Sequence, residues 1–149
     1  MKIVIASDHG GFALKQALIE FLKTQNLQAS DLGTNNDDSV DYPDFAILVA
    51  KKVSQGHADA GILICGTGIG MSIVANKFRG VRAAVVMDAY TAQMAKEHNN
   101  ANVICLGGRI VDGKKAIELV RLWLKSSYEA GRHNQRLGKI AAVEKENFK

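Results

Sequence analysis

The sequence predicts one three-layer α/β/α domain built on a parallel sheet of about five strands. Strand-like and helix-like patterns alternate along the 149 residues with short links between them. The strand-like runs are almost continuously apolar, which is typical of strands covered by helices on both faces. Hydrophobic residues make up 47% of the chain, enough for a proper core, and no repeat or linker divides it. We therefore predict a single domain over 1–149.

The predicted elements follow one another as strand, helix and strand. The first strand is 2–6, and the first helix, 11–24, repeats apolar residues at helical spacing. Because a crossover helix follows each strand, the strands are expected to run parallel. The connection 33–41 is polar, and we expect a mobile rim there. The remaining strands are predicted at 27–32, 61–65, 82–87 and 102–106, and the remaining linked helices at 42–54, 70–78, 89–98 and 112–126.

A sixth helix, roughly 129–145, has no strand partner. Its apolar side is thin, with only Leu137, Ile140, Ala141 and Val143 along it. A helix with so narrow a stripe does not pack deeply into its own core. We therefore expect this C-terminal helix to dock on a partner subunit.

Composition and charge exclude several function classes. No apolar run reaches membrane-spanning length, and the N-terminus lacks a signal-peptide pattern. Residues 107–149 hold ten Lys and Arg but five Asp and Glu. Such an excess of positive charge is typical of a surface that binds nucleic acid or phosphorylated metabolites, or of a solvated helix. No aromatic platform accompanies this basic tail, which weakens the nucleic-acid interpretation. Cys65 and Cys105 lie in apolar strands and read as reduced thiols. The prediction is a cytoplasmic protein without nucleic-acid or membrane partners.

The most informative motif is the glycine turn 66–70, between an apolar strand and a helix start. Glycines let backbone N–H groups approach an anion closely, and the helix N-terminus adds its dipole. Cys65 lies at the edge of this turn, where a thiolate is favoured. The spacing is that of neither a Walker loop nor a dinucleotide-binding fingerprint. From these residues alone the turn is a phosphate seat, or a tight turn without a ligand.

Further candidates follow other elements. Asp8 and His9 end the first strand, so they reach the same sheet edge as Cys65, although Asp8 could simply cap a helix. Arg109 follows a glycine pair at that edge. His98 ends a helix, where it could be only a C-cap with Asn99 or Asn100 in a left-handed conformation. Arg132 and Arg136 share a helix face and form either a phosphate clamp or a solvated basic face. The four histidines lack zinc-site spacing, so we predict no metal and no cofactor.

Taken together, these motifs resemble the B-type ribose-5-phosphate isomerases, which belong with the galactose-6-phosphate and allose-6-phosphate isomerases. The resemblance covers essentially the whole chain in order. It implies a metal-free interconversion of ribose 5-phosphate and ribulose 5-phosphate in the non-oxidative pentose phosphate pathway. It also implies a Rossmann-like sheet of order 2-1-3-5-4, and a dimer or pair of dimers with shared active sites. The motifs are Asp8-His9-Gly10-Gly11, Asp41-Tyr42-Pro43, the segment 61–70, Ala75-Asn76-Lys77, His98-Asn99 and Gly131-Arg132-His133.

The resemblance assigns a role to each candidate residue. Cys65 is the base that moves a proton between C1 and C2, Thr67 assists proton transfer between the oxygens, and His98 helps open the furanose ring. The glycine turn becomes an oxyanion hole for the enediolate instead of a phosphate seat. The implied substrate-binding residues are Asp8 and Tyr42 at the sugar, His9, Arg132 and Arg136 at the phosphate, Asn99 and Arg109 completing the site, and Gly66, Gly68, Ile69 and Gly70 in the anion hole.

Two alternatives stay open at this point. One is an isomerase for a hexose 6-phosphate, since pocket length cannot be read from the sequence. The other is a non-catalytic phosphosugar-binding module, against which Cys65, Thr67 and His98 argue. One branch of the family has a glutamate just after the glycine run and lacks the cysteine. This chain has Met71 there and retains Cys65, so it resembles the cysteine branch.

Overall fold

A computed structural model describes residues 1–148 and shows a five-stranded sheet between two layers of helices. A 3-10 turn, His9–Gly11, precedes the first α-helix. The strands are β1 (Ile3–Ser7), β2 (Ala29–Asp31), β3 (Ala60–Cys65), β4 (Ala83–Val85) and β5 (Val103–Gly107). The helices are α1 (Phe12–Thr24), α2 (Tyr42–Ser54), α3 (Ile69–Ala75), α4 (Ala89–Glu97), α5 (Gly113–Lys125) and α6 (Arg132–Asn147).

All neighbouring strands are parallel, and the sheet order is β2-β1-β3-β5-β4. The predicted fold class and the strand order implied by the resemblance are therefore confirmed. Strand β3 lies at the centre, and its last residue, Cys65, pairs with Gly107 at the end of β5. The carboxyl ends of β1, β3 and β5 thus meet at one edge of the sheet.

Both faces of the sheet are covered, as the apolar strands predict. Ile3 and Ile5 of β1 belong to a buried cluster with side chains of α1 and α5. The alternate residues Val4 and Ala6 join a second cluster with α2 and α3, which also contains Cys65. This two-sided burial fixes the strand register, because a one-residue slip would exchange the two sets of side chains.

The structure corrects several local expectations. Strand β2 is shorter than 27–32 and β4 is shorter than 82–87, because each is an edge strand with one neighbour, and two of the three residues of β2 are exposed. Helix α3 ends at Ala75 instead of 78. The start of the connection 33–41 is not a mobile rim: Gly33 and Thr34 are buried, and their backbones hydrogen-bond to Ser7 on β1. Lys15, fully buried on α1, also donates to the Thr34 carbonyl at 2.7 Å.

Helix α6 lies against the start of β4 but buries little of itself. His133 is its single buried residue in the described chain, while Ile140 and Val143 stay 51% and 60% exposed. The Gly80 N–H donates to Oε1 of Glu144 at 2.6 Å, which holds the helix beside an open groove of about 410 Å³. The expected docking of α6 on a partner stays a prediction. Within 1–148, the helices are too short or too polar to cross a bilayer.

Candidate active site

Cys65 lies at the carboxyl end of the central strand, where the glycine turn begins. It is 5% exposed, and the Gly68 N–H donates a hydrogen bond to its Sγ at 3.1 Å. The Gly108 N–H in turn donates to the Cys65 carbonyl at 2.7 Å. The thiol is therefore held in one place by backbone groups of two neighbouring segments.

The turn needs glycine at two positions for different reasons. Gly68 has φ +81°, and a Cβ there would meet the Leu106 carbonyl carbon at 3.0 Å. A Cβ on Gly70 would lie 2.5 Å from Cε2 of Tyr42, so the tyrosine ring lies directly over the turn. Thr67 and Ile69 are exposed beside it. The structure thus brings Cys65, Thr67, the turn and Tyr42 together, while their roles stay a prediction.

The end of β1 supplies the next two groups. Asp8 is 7% exposed, and its Oδ1 accepts from the Gly11 N–H at 3.2 Å, so it caps the 3-10 turn His9–Gly11 and not α1, whose N-cap is Gly11. Asp8 is also part of the cluster, because a Cβ on Gly10 would lie 3.3 Å from Oδ1. Nδ1 of His9 accepts from the Val40 N–H at 3.2 Å. In the neutral imidazole this leaves the proton on Nε2, which is then free to donate to a ligand.

Arg109 covers the space between these two strand ends. Its backbone N–H donates to the Gly66 carbonyl at 3.1 Å. Its guanidinium passes over both loops: a Cβ on Gly66 would lie 3.2 Å from Nη1, and one on Gly10 would lie 3.6 Å from Nη2. The structure therefore places a cation beside the thiol and the acidic side chain at one sheet edge.

The other predicted residues lie at the opposite end of the sheet. His98 is the C-cap of α4 and precedes β5 by five residues. Strand β5 starts opposite Gly61 and finishes opposite Cys65, and its four residue steps span roughly 13 Å. Within one chain, His98 therefore cannot reach the Cys65 thiol. Asn100 has φ +45°, as the C-cap interpretation predicts.

His98 belongs to a second cluster formed with the start of α6. Its ring stacks on that of His133, with centroids 4.2 Å apart and planes 20° apart. Oε2 of Glu129 lies 3.9 Å from Nε2 of His98 and 3.5 Å from Nε2 of His133. Asn99, which follows His98, and Arg132 and Arg136, which flank His133 on α6, are exposed. Among residues 1–148, the guanidinium groups of Arg109, Arg132 and Arg136 have no ion-pair partner.

Comparison with known proteins identifies the family. The ribose/galactose isomerase family model matches residues 3–140. This chain belongs to that family. The ribose-5-phosphate isomerase B of Escherichia coli is 45% identical over 143 residues, which cover 96% of each chain.

Solved structures agree with this assignment. A ribose-5-phosphate isomerase B from Clostridium thermocellum superimposes with a TM-score of 0.96 at 50% identity, covering 98% of this chain and 99% of that one. The ribose-5-phosphate isomerase B from Mycoplasma genitalium with bound ribulose-5-phosphate superimposes with a TM-score of 0.95 at 49% identity. The superposition covers 98% of this chain and 97% of that one. The family resemblance seen in the sequence is thereby confirmed.

Sequence reasoning missed two members of the His98 cluster. His133 stands out in the sequence only as one of four histidines and within the motif Gly131-Arg132-His133, and nothing singles out Glu129. The four histidines lack zinc-site spacing along the chain, yet His98 and His133 stack in space. The spacing of Glu129 and His133 is a usable signal, because side chains four residues apart on a helix lie side by side. Glu129 itself precedes the first residue of α6.

Proposed function

We propose that this chain catalyses the interconversion of ribose 5-phosphate and ribulose 5-phosphate. The observation that carries the proposal is the Cys65 thiol, held by the Gly68 N–H at 3.1 Å inside a glycine turn. A buried thiol in such a turn, with a guanidinium and a carboxylate alongside, suits proton abstraction next to a carbonyl. Family membership and the relatives named above support this activity.

The chemistry requires a base and a stabiliser for an enediolate. The Cys65 thiolate removes the C2 proton of the open-chain aldose, and the charge that develops on O1 is stabilised by N–H groups of residues 66–70. The Thr67 hydroxyl passes a proton from O2 to O1. The thiol then returns its proton to C1, which gives the ketose. All atoms and charges balance without a cofactor.

The remaining residues bind substrate. Asp8 and Tyr42 contact the sugar hydroxyls, and Arg109 and Asn99 complete the site. His9, Arg132 and Arg136 hold the phosphate, for which Nε2–H of His9 and two guanidinium groups are suitable donors. Met71 is buried in the cluster that contains Cys65, so the position of the alternative glutamate adjoins the same reaction centre.

A coupled assay tests the activity and its substrate range. Purified protein would be offered ribose 5-phosphate, allose 6-phosphate and galactose 6-phosphate, each before and after exhaustive chelation. We expect the highest kcat/KM with ribose 5-phosphate, unchanged by the chelator. Preference for a hexose phosphate would favour the alternative isomerase. Binding without turnover of any sugar would favour the non-catalytic module.

We further propose that each active site is shared between two subunits. The support is the separation of Cys65 and His98 to opposite ends of one sheet. A two-fold dimer would bring the His98 end of one chain against the Cys65 end of the other and create two identical sites. Exposed apolar side chains could pair across this contact: Ile69, Ile73, Met87, Tyr90 and Ile110 near the Cys65 end, and Ile140 and Val143 on α6.

Hybrid dimers test the sharing directly. Cys65→Ala and His98→Asn chains would be unfolded, mixed and refolded together. Half of randomly paired dimers are mixed, and each contains one site with both changes and one with neither, so about a quarter of wild-type activity should return. A matched control mixes Cys65→Ala with Asp8→Asn, both at the same end, and should restore nothing. Inactive Cys65/His98 hybrids, once their formation is verified, would place both groups in one chain.

A further inference from the structure

The environment of His98 contains two side chains to which the proposed reaction assigns no role. One face of the His98 ring is covered by His133, which is 3% exposed. The Nε2 edge of His98 faces the Glu129 carboxylate at 3.9 Å. The His98 side chain nevertheless stays 33% exposed, so it remains accessible to a ligand from the open side.

Backbone hydrogen bonds build this arrangement from two separate segments. The Glu129 N–H donates to the Glu97 carbonyl at 3.0 Å, which ties the α5–α6 connection to the last residue of α4. The His98 N–H donates to the Met94 carbonyl at 3.0 Å, and the His133 N–H to the Ala130 carbonyl at 3.0 Å. The three side chains therefore meet because their backbones are fixed, although Glu129 itself is largely exposed.

The same three groups also resemble a metal site, since their ligand atoms lie within 4.8 Å of one another. The ring geometry argues against that use. Imidazole binds metals through a lone pair in the ring plane, and these two planes are stacked 20° from parallel. Their lone pairs run side by side instead of converging, and an ion between the rings would stand out of both planes. One carboxylate facing the edges of both rings suits the geometry better.

We propose that Glu129 and His133 are positioning residues that hold the His98 ring for opening the furanose. This inference rests on the proposed isomerase function. A histidine at a helix end has two rotatable side-chain bonds, and proton transfer to a ring oxygen needs one nitrogen in one direction. Stacking on His133 fixes the plane of the ring. The charge of Glu129 then selects which edge turns inward and which faces the substrate.

The test separates ring opening from proton transfer at carbon. Ribulose 5-phosphate cannot close to a furanose, because its C5 oxygen is esterified, so its C1 proton exchanges with solvent without ring chemistry. Glu129→Gln keeps the shape and removes the charge. We expect kcat for ribose 5-phosphate isomerisation to fall roughly tenfold, with C1 exchange of ribulose 5-phosphate, followed by NMR in deuterated water, within about twofold of wild type.

A matched control is Glu118→Gln, on the surface of α5. Glu118 is 47% exposed against 52% for Glu129 and also lies beside a side-chain nitrogen, Nζ of Lys115. This substitution should change neither rate. At the second position, His133→Phe keeps a ring in the stack and should retain more isomerisation than His133→Ala. A change at buried His133 could impair folding. Glu129 is exposed, so Glu129→Gln tests the proposal without that risk.

Three results would overturn the positioning role. Unchanged isomerisation in Glu129→Gln is one, and an equal loss of isomerisation and exchange is another. If chelation of the wild type reproduced the rates of Glu129→Gln, a bound metal would be organising the cluster instead. Failure of the proposed function is distinguishable, because it would show as a wild type that does not isomerise ribose 5-phosphate at all.

Discussion

The two ends of the sheet present functional groups in opposite ways. At the Cys65 end, the groups are partly buried and held by the backbone: the thiol accepts from Gly68, and Asp8 accepts from Gly11. At the His98 end, the polar groups are mostly exposed side chains on helix ends, and His133 is the buried exception. The first end is suited to an ordered reaction at carbon. Within residues 1–148, the second end offers two guanidinium groups and a histidine but no glycine turn to hold an enediolate, so we propose that it completes the site of a partner subunit.

The largest effect should come from the Cys65 end. Cys65→Ala removes the proposed base and needs no more space than cysteine, although it also removes the acceptor of the Gly68 N–H. We expect at least a thousandfold loss of both ribose 5-phosphate isomerisation and C1 exchange of ribulose 5-phosphate, since no other base lies in this turn. Parallel thermal unfolding should still show one cooperative transition, at a midpoint lowered by the small cavity and the lost Gly68 hydrogen bond. Exchange that survived at wild-type rate would remove Cys65 from the proton transfer.

The next effect tests the shape of the turn. Gly70→Ala places a methyl group against the Tyr42 ring, so either the ring or the turn must move. We expect a loss of about a hundredfold in kcat/KM, the scale of one misplaced oxyanion donor. Gly138→Ala on α6 is the matched control, because among residues 1–148 a Cβ at Gly138 would meet nothing within 4 Å outside the neighbouring turns of its own helix. That change should leave activity intact and stabilise the helix slightly.

A smaller and more selective effect is expected at the opposite end. His98→Asn removes the proposed ring-opening group but leaves Cys65 and its turn untouched. Isomerisation of ribose 5-phosphate should fall about thirtyfold, and C1 exchange of ribulose 5-phosphate should fall much less. The two rates would be measured on one preparation by coupled assay and by NMR. Equal losses would mean that His98 acts in the proton transfer itself and not in ring opening.

The sequence predicted the elements better than the contacts between them. The strands and α1 are predictable because their apolar residues follow a local pattern along the chain. The layers and the parallel sheet are predictable because strands and helices alternate. The glycine turn is predictable because its glycines stand between an apolar strand and a helix start, and φ +81° at Gly68 shows that the turn needs glycine there. The stack of His98 on His133 could not be found this way, since 35 positions separate the two residues in the chain. They meet because the backbone hydrogen bond from Glu129 to Glu97 brings the residues before α6 to the end of α4.

The smallest effect should come from the second cysteine, and it tests whether proximity alone makes a thiol functional. Cys105 lies on β5 in the same buried cluster as Cys65 but is fully enclosed. Burial, with a smaller contribution from neighbouring Cys65, raises the pKa of the Cys105 thiol, so it stays protonated and acts as a small apolar side chain. Cys105→Ala should therefore keep activity within about twofold and cost about 1 kcal/mol of unfolding free energy through the small cavity it leaves. Activity and denaturant unfolding of the two alanine variants give the comparison: both should lose some stability, but only Cys65→Ala should be inactive. Substantial loss of activity in Cys105→Ala at native stability would show that the second thiol takes part in the chemistry after all.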